Sequence, residues 1–320
     1  MTTRSDCWRA PGLFIRQLAL LFAWLWLVFV PALAGAMSEC PPAEPLVAAA
    51  ASDIRHGRGL LWKLTPDRGG APSWLFGTIH VSDERVVELP PAVTSAIDGA
   101  ASFVMEALFD EQAVAEFSAR MYDAAGAPLP QLIGPELFAR ARDLLATYGI
   151  AGPTVDAMRP WAAFITLSQP AGDAGIPLDL VLMQRAMKRG ARLYGLETLA
   201  EQADIFDSMP LADQLRLLRE TVCQYATVQQ EIDRLKGLYL ERDLGGIKAL
   251  SESYAQGDDG LTRRLMDELI VKRNLRMARR VLPRLVEGNA FVAIGALHLP
   301  GDDGVLALIE RQGYRVEVVY

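Results

Sequence analysis

Two apolar runs in this chain end on the same signal. Trp74-Leu75-Phe76-Gly77-Thr78-Ile79-His80 reads as a buried strand that stops at a glycine and presents a histidine three residues on. Phe291-Val292-Ala293-Ile294-Gly295-Ala296-Leu297-His298 repeats that pattern near the C-terminus. Short apolar runs bounded by turn residues argue for buried strands. Residues 60–64 (LLWKL) form another such run. The polar Pro66-Asp67-Arg68-Gly69-Gly70 that follows reads as a turn, so a hairpin is expected.

After His80 a polar loop leads to Pro90-Pro91. Proline suits a first helical turn, because that N–H has no intrahelical partner. A helix to about residue 99 and a strand over residues 102–108 (SFVMEAL) follow. This order predicts a βαβ unit with a parallel pair. It would place His80 and Glu106 at the C-terminal ends of neighbouring strands. Helical spacing of apolar residues recurs over 111–123, 134–148 and 155–168. A further helix spans 179–190, with Asp179 read as its cap, and a short strand over 192–196 ends at Glu197. Thr198-Leu199-Ala200-Glu201 matches a capping box. The last long helix is expected over 261–286.

Near the C-terminus, residues 290–294 form a strand, Asp302 or Asp303 caps a helix ending at Gly313, and residues 314–319 close the sheet. The expected fold class is α/β. Its central sheet would be mixed but mostly parallel, built from two G-x-x-H βαβ units that bracket a large helical insert at 111–286.

The N-terminus changes the picture of where the chain works. Arg4, Arg9 and Arg16 lead into an apolar run over 18–30, Pro31 breaks it, and Ala32-Leu33-Ala34 or Ala34-Gly35-Ala36 fits a cleavage site. This is the pattern of a signal peptide over 1–36, with an uncleaved membrane anchor as the rival reading. Residues 37–57 read as an N-terminal arm with one short helix at 46–55, and 58–320 as the domain. No later stretch is apolar for long enough to span a membrane again. Export to the periplasm or cell envelope is the expected localisation. Two cysteines then remain, Cys40 and Cys223. They could pair across the arm and the helical region, or stay as thiols.

The composition, 51% hydrophobic and 22% charged, suits a folded chain. Removing residues 1–36, with three arginines and one aspartate, takes the net charge from −7 to −9. Such an acidic chain is a poor partner for nucleic acid.

The chain has three histidines, and two of them occupy the G-x-x-H turns. Glycine lets the backbone turn tightly and lets another group approach closely, which gives Gly77 and Gly295 a supporting role. A neutral imidazole can serve as base or metal ligand. Glu106 stands in an otherwise apolar strand, where a carboxylate is costly unless paired or bound to a cation. His80, His298 and Glu106 together suit a transition metal that activates water. The other reading pairs Glu106 with an arginine such as Arg273. Glu197 is either a further ligand or base, or a partner of the following helix N-terminus. Arg273 and Asn274 belong to a basic run, Lys272-Arg273-Asn274-Leu275-Arg276, most of which reads as a solvated face. His56 reads as a surface residue. The sequence contains no H-E-x-x-H helix, G-x-S-x-G elbow, Walker loop or G-x-G-x-x-G.

Beyond these two turns, Trp62-Lys63-Leu64, Leu89-Pro90-Pro91, Val104-Met105-Glu106, Met158-Arg159-Pro160-Trp161, Gly195-Leu196-Glu197-Thr198 and Arg273-Asn274 occur in a fixed order. In this the chain resembles the TraB/GumN (TraB/PrgY/GumN) family, to which the Tiki proteases of animals are distantly similar. The resemblance covers about residues 58–320. It implies a fold of the erythromycin-esterase/ChaN type and a pair of G-x-x-H motifs with an intervening glutamate, here His80, His298 and Glu106. Tiki-like members imply a metal-dependent protease using manganese or cobalt.

The function expected from the sequence is therefore an exported metal-dependent hydrolase acting on peptides or proteins. His80, His298 and Glu106 would bind manganese, cobalt or zinc. Glu106, Glu197 and Arg273 would be the catalytic residues, with Asn274 supporting. The alternatives are an envelope protein that binds metal, haem or peptide without turnover, and an accessory of surface polysaccharide export.

Overall fold

The computed structural model describes Cys40 and residues 53–173, 175–254 and 260–320. The signal-peptide expectation, and most of the expected helix at 46–55, lie outside the described residues. A six-stranded mixed sheet organises the rest. Its strands are β1 (Leu61–Pro66), β2 (Ser73–Thr78), β3 (Ser102–Ala107), β4 (Arg192–Glu197), β5 (Ala290–Gly295) and β6 (Tyr314–Val318). The order across the sheet is β4-β3-β5-β2-β1-β6. Strands β4, β3, β5 and β2 run parallel, and β1 pairs antiparallel with both β2 and β6.

Burial follows this order. Every residue of β5 is buried, β3 and β2 are each buried at all but one position, and β6 is mostly open. Central parallel strands are covered on both faces, which is why their sequences are continuous apolar runs rather than alternating ones. Helices do the covering, and Phe76, Phe103 and Phe291 meet ring to ring across β2, β3 and β5.

The hairpin β1–β2 forms as the turn residues predict. Other expectations are corrected. Strands β2 and β3 are not neighbours, because β5 lies between them. The C-terminal unit is not a βαβ unit either. After the helix Val305–Glu310, strand β6 crosses to the far edge and pairs antiparallel with β1. The helix expected over 155–168 is two helices, Pro153–Asp156 and Pro160–Leu167. Pro160 starts the second, as a proline without an N–H can. The helix expected over 261–286 is interrupted by a π-helical segment, Asp267–Val271, between Leu261–Met266 and Lys272–Glu287. Gly304, not Asp302 or Asp303, precedes the C-terminal helix as its cap.

Cys40 and Cys223 form a disulfide. It joins the arm to the end of the helix Leu211–Cys223. Among the described residues, no helix is long and apolar enough to cross a membrane.

Candidate functional site

Four parallel strands end at one edge of the sheet, and the candidate residues sit on those ends. In an open α/β sheet this edge is where binding sites are built. Thr78, the last residue of β2, is paired with Gly295, the last of β5. Ala107 of β3 is paired with Glu197 of β4. His80 and His298 follow β2 and β5, and Glu106 lies one residue from the end of β3. The two G-x-x-H turns are therefore neighbours. A side chain at Gly77 would meet Leu299 at 2.9 Å and the Ala296 Cα at 3.5 Å. The missing Cβ at Gly77 is what allows this approach.

The first turn is extended. His80 Nδ1 bonds the Asp179 carboxylate at 2.6 Å, and the Thr78 hydroxyl donates to the other Asp179 oxygen at 2.8 Å. Asp179 is buried in the first turn of the helix Leu178–Lys188, whose cap is Pro177. Its expected capping role is thus corrected. Its side chain points to His80 rather than to its own helix. Burial works against a charged His80, but the Asp179 carboxylate outweighs it and raises the imidazole above its ordinary value.

The second turn coils into a short 3-10 segment, Ala296–His298. His298 Nδ1 bonds Asn274 Oδ1 at 2.6 Å, and Asn274 Nδ2 donates to the Asp303 carbonyl at 2.9 Å. That second bond fixes which end of the amide faces the ring. Oδ1 can only accept, so His298 carries its proton on Nδ1 and its electron pair on Nε2. Burial, with Arg273 and His80 adding to it against Glu106, pushes His298 down to about 3.

Glu106 lies between these turns and Arg273. Its Oε1 accepts the Gly295 N–H at 2.7 Å, and its Oε2 accepts from Arg273 at 2.5 Å. His298 Nε2 stands 3.8 Å from Oε1. Burial works to raise the Glu106 carboxyl, but Arg273 above all, then His298 and His80, hold it down at about 2.

Arg273 is fully buried and reaches a second carboxylate, donating from Nε to Glu197 at 2.9 Å. Arg276 bonds the other Glu197 oxygen at 2.9 Å. Burial opposes the Arg273 charge, and Glu106 and Glu197 together keep it firmly protonated. Both Arg273 and Asn274 are buried, so this part of the basic run is not the solvated face the pattern suggests; Leu275 beside them is half exposed. They stand just after the π-helical segment, with Lys272 between. Such segments occur often at functional sites.

The structure joins Glu106, Glu197, Arg273, Asn274 and His298 in one largely buried network, while His80, bonded to Asp179, acts on Glu106 through its charge. The residues that sequence reasoning missed are Asp179, as a partner of His80, and Thr78. An acidic residue at a helix start reads locally as a dipole partner, and His80 is 99 positions away. His56 stands apart, largely buried, with Nε2 3.1 Å from Glu310. A surface cavity of about 330 Å³ lined by Val87, Leu89, Thr94, Val181, Gln184, Arg185 and Lys188 contains none of the network residues.

As the side chains lie, no three His, Cys, Asp or Glu residues form a complete metal cage among the described residues. Glu106 is turned partly toward Arg273. The donor chemistry nevertheless fits a cation at one point. The Nε2 electron pair of buried His298 and the Oε1 of an ionised, largely buried Glu106 are both acceptors, 3.8 Å apart, with both imidazoles held from behind at Nδ1.

A family model described as the TraB/PrgY/gumN family matches residues 60–318. Among curated proteins, "Metalloprotease TIKI2" of Danio rerio is 28% identical over 313 residues, covering 80% of this chain and 60% of the relative. "Metalloprotease TIKI1" of Danio rerio is 26% identical over 346 residues, covering 91% of this chain and 68% of the relative. "Metalloprotease TIKI1" of Homo sapiens is 22% identical over 311 residues, covering 80% and 61%. The chain thus spans about three-fifths of the length of most of these relatives. No solved structure matches it.

Proposed function

The chain belongs to the TraB/PrgY/gumN family, and on that premise we propose that it is an exported metal-dependent hydrolase acting on peptides. The observation that carries this reading is the pair of acceptors, His298 Nε2 and Glu106 Oε1, 3.8 Å apart. Arg273 and the Gly295 N–H offset the Glu106 charge, while the His298 electron pair still faces the Glu106 oxygen, an arrangement that a bridging cation would stabilise further. The similarity to proteins named as metalloproteases supports a metal as that cation. The same reading takes the fold to be of the erythromycin-esterase/ChaN type.

His80, His298 and Glu106 would hold the ion, with imidazole and carboxylate donors that suit manganese, cobalt or zinc. Bound there, such an ion would supply Lewis acidity and lower the pKa of water. Asn274 presents the His298 electron pair. Arg273 keeps Glu106 ionised, which suits a ligand better than a general base. Glu197 holds Arg273 in place and shares its other oxygen with Arg276. The disulfide between Cys40 and Cys223 supports export, since such bonds persist in oxidising compartments.

Metal content of the purified protein, compared with His80→Ala and His298→Ala, tests this reading. Both variants are expected to lose bound manganese, cobalt or zinc. Retention in both removes the metal site. A second reading, metal or peptide binding without turnover, is favoured by the Glu106–Arg273 ion pair, which ties the carboxylate to the scaffold. Cleavage of a peptide library that is lost in Glu106→Ala speaks against that second reading.

A further inference from the structure

We propose that Asp179 is a positioning residue for His80 and makes the first turn the stronger of the two imidazole donors. This rests on the metal reading above. The geometry that supports it is a carboxylate saturated from two sides. Thr78, at the tip of β2, donates its hydroxyl to one oxygen at 2.8 Å, and His80 Nδ1 meets the other at 2.6 Å. Both side chains of this pair are nearly closed to solvent. Asp179 also lies in the first turn of the helix Leu178–Lys188, where the partial positive end of the helix favours an anion.

An ionised carboxylate accepts and never donates. Both bonds therefore run toward Asp179, and the imidazole proton that it holds is the one on Nδ1. The electron pair of the neutral ring is then on Nε2, as it is for His298. Thr78 keeps the carboxylate from rotating, so the ring plane is set as well as the tautomer. Strand, helix and turn each supply one member: Thr78 from β2, Asp179 from the helix, His80 from the G-x-x-H turn.

The two histidines thus share a tautomer but not a partner. Asn274 offers His298 a neutral amide oxygen. Asp179 offers His80 a full negative charge. A carboxylate behind a metal-binding imidazole raises its donor strength as well as orienting it. His80 becomes the firmer ligand and His298 the weaker, more exchangeable one.

The test uses the full chain with Asp179→Asn, Asp179→Leu, Asp179→Glu, Thr78→Val and Asn274→Ala beside His80→Ala and His298→Ala. Two quantities are read: affinity for manganese, cobalt and zinc by competition with a chelating dye, and the ring ¹⁵N shifts of His80 in the metal-free protein. Asp179→Asn is expected to lower affinity roughly 10-fold to 100-fold. Asp179→Leu, which leaves no acceptor behind Nδ1, is expected to shift the His80 ring nitrogens away from the Nδ1–H pattern, whereas the amide of Asp179→Asn keeps it. Asp179→Glu should recover part of the affinity. Thr78→Val keeps the His80 contact, so it should lower affinity by less, and it serves if Asp179→Asn does not fold. Asn274→Ala should cost less affinity than Asp179→Asn.

Affinity within twofold of wild type in Asp179→Asn, or unchanged His80 shifts in Asp179→Leu, overturns the proposal while His80→Ala still loses the ion. A loss in Asn274→Ala as large as in Asp179→Asn overturns the ranking of the two donors. If His80→Ala alone binds metal as the wild type does, His80 is not the firmer ligand and the proposal falls; if His298→Ala binds it as well, the metal reading has failed instead. The ¹⁵N shifts then still decide whether Asp179 orients the ring.

Discussion

The turn after β2 and the turn after β5 begin alike and finish differently. Each leaves a parallel strand, and the two strand tips are paired, Thr78 with Gly295. The first stays extended and sends His80 to a carboxylate, while the second coils and sends His298 to an amide. The outcome is two buried imidazoles with opposite tendencies, His80 raised and His298 pushed down to about 3. The motif alone therefore does not define the chemistry of its histidine. At His80 the Asp179 carboxylate behind Nδ1 outweighs burial, whereas at His298 burial, with Arg273 and His80, prevails over Glu106.

The largest expected effect comes from breaking the ion-pair cluster that the second turn rests on. Arg273 ties Glu106, which accepts the Gly295 N–H, to Glu197 on the edge strand. Arg273→Met would leave a buried carboxylate without its cation. Removing one member of such a pair typically costs about 3–5 kcal/mol. Urea denaturation should show that loss, and a loss under about 1 kcal/mol would mean the pair contributes as little as an exposed one.

The next prediction separates the two histidines directly, in protein stripped of metal. His298 is depressed from 6.5 to about 3, so in that window the unfolded chain takes up a proton that the native state refuses. Its contribution to stability falls as the pH drops from 6.5 toward 3. His80 is raised above 6.5, so its contribution is fully present below 6.5 and fades as the pH rises through its folded value. The slope from one such group is at most about 1.4 kcal/mol per pH unit. Relative to wild type, His298→Ala should therefore look less damaging as the pH falls below 6.5, and His80→Ala more damaging as the pH falls toward 6.5 and level below it. Parallel stability curves for the two variants from pH 7 to pH 4 would erase the contrast.

A smaller effect is expected where the turns touch. Gly77→Val would push side-chain atoms against Leu299 and Ala296 of the second turn. Overpacking a filled interior typically costs about 1–3 kcal/mol. Thermal denaturation reads that cost. The change should also reduce metal binding, because it spreads the two strand tips.

How much of this could be read in advance depends on the range of each interaction. The hairpin, the strand ends at Gly77 and Gly295, and the capping box are written in neighbouring residues. The position of β5 between β2 and β3 is not, since Ala290 and Ser102 pair across 188 positions of chain. The rule that consecutive strands tend to be neighbours led to the adjacent β2–β3 pair and was overridden. Fully buried β5 is the most apolar of the strands, and the centre of the sheet is where such a strand belongs. Asp179 was missed because its partner is distant. Spacing alone shows Arg273 and Asn274 as members of a charged run; the carboxylate of Glu106 and the family resemblance are what single them out. The π-helical segment before them, which no periodicity announced, coincides with the point where two consecutive polar residues turn inward.

The smallest predicted effect tests how far the network extends from the turns. Thr198 accepts the Glu201 N–H at 3.1 Å while Glu201 accepts the Thr198 N–H at 2.9 Å, a reciprocal cap directly after Glu197. Arg280 clamps the same Glu201 with two nitrogens. Arg280 chiefly, with the Thr198 N–H and Arg276 adding to it, holds the Glu201 carboxyl down at about 2 against partial burial. Loss of such a cap costs about 1 kcal/mol. Thr198→Ala should therefore lower stability by that amount and leave metal affinity unchanged, because Glu197 is held by Arg273 and Arg276 rather than by the cap. A fall in metal affinity with the same small loss of stability would show that Glu197 transmits the position of the helix to Glu106. The second carboxylate would then belong to the site beside His80 and His298, and the contrast between the two turns would be only part of what sets its chemistry.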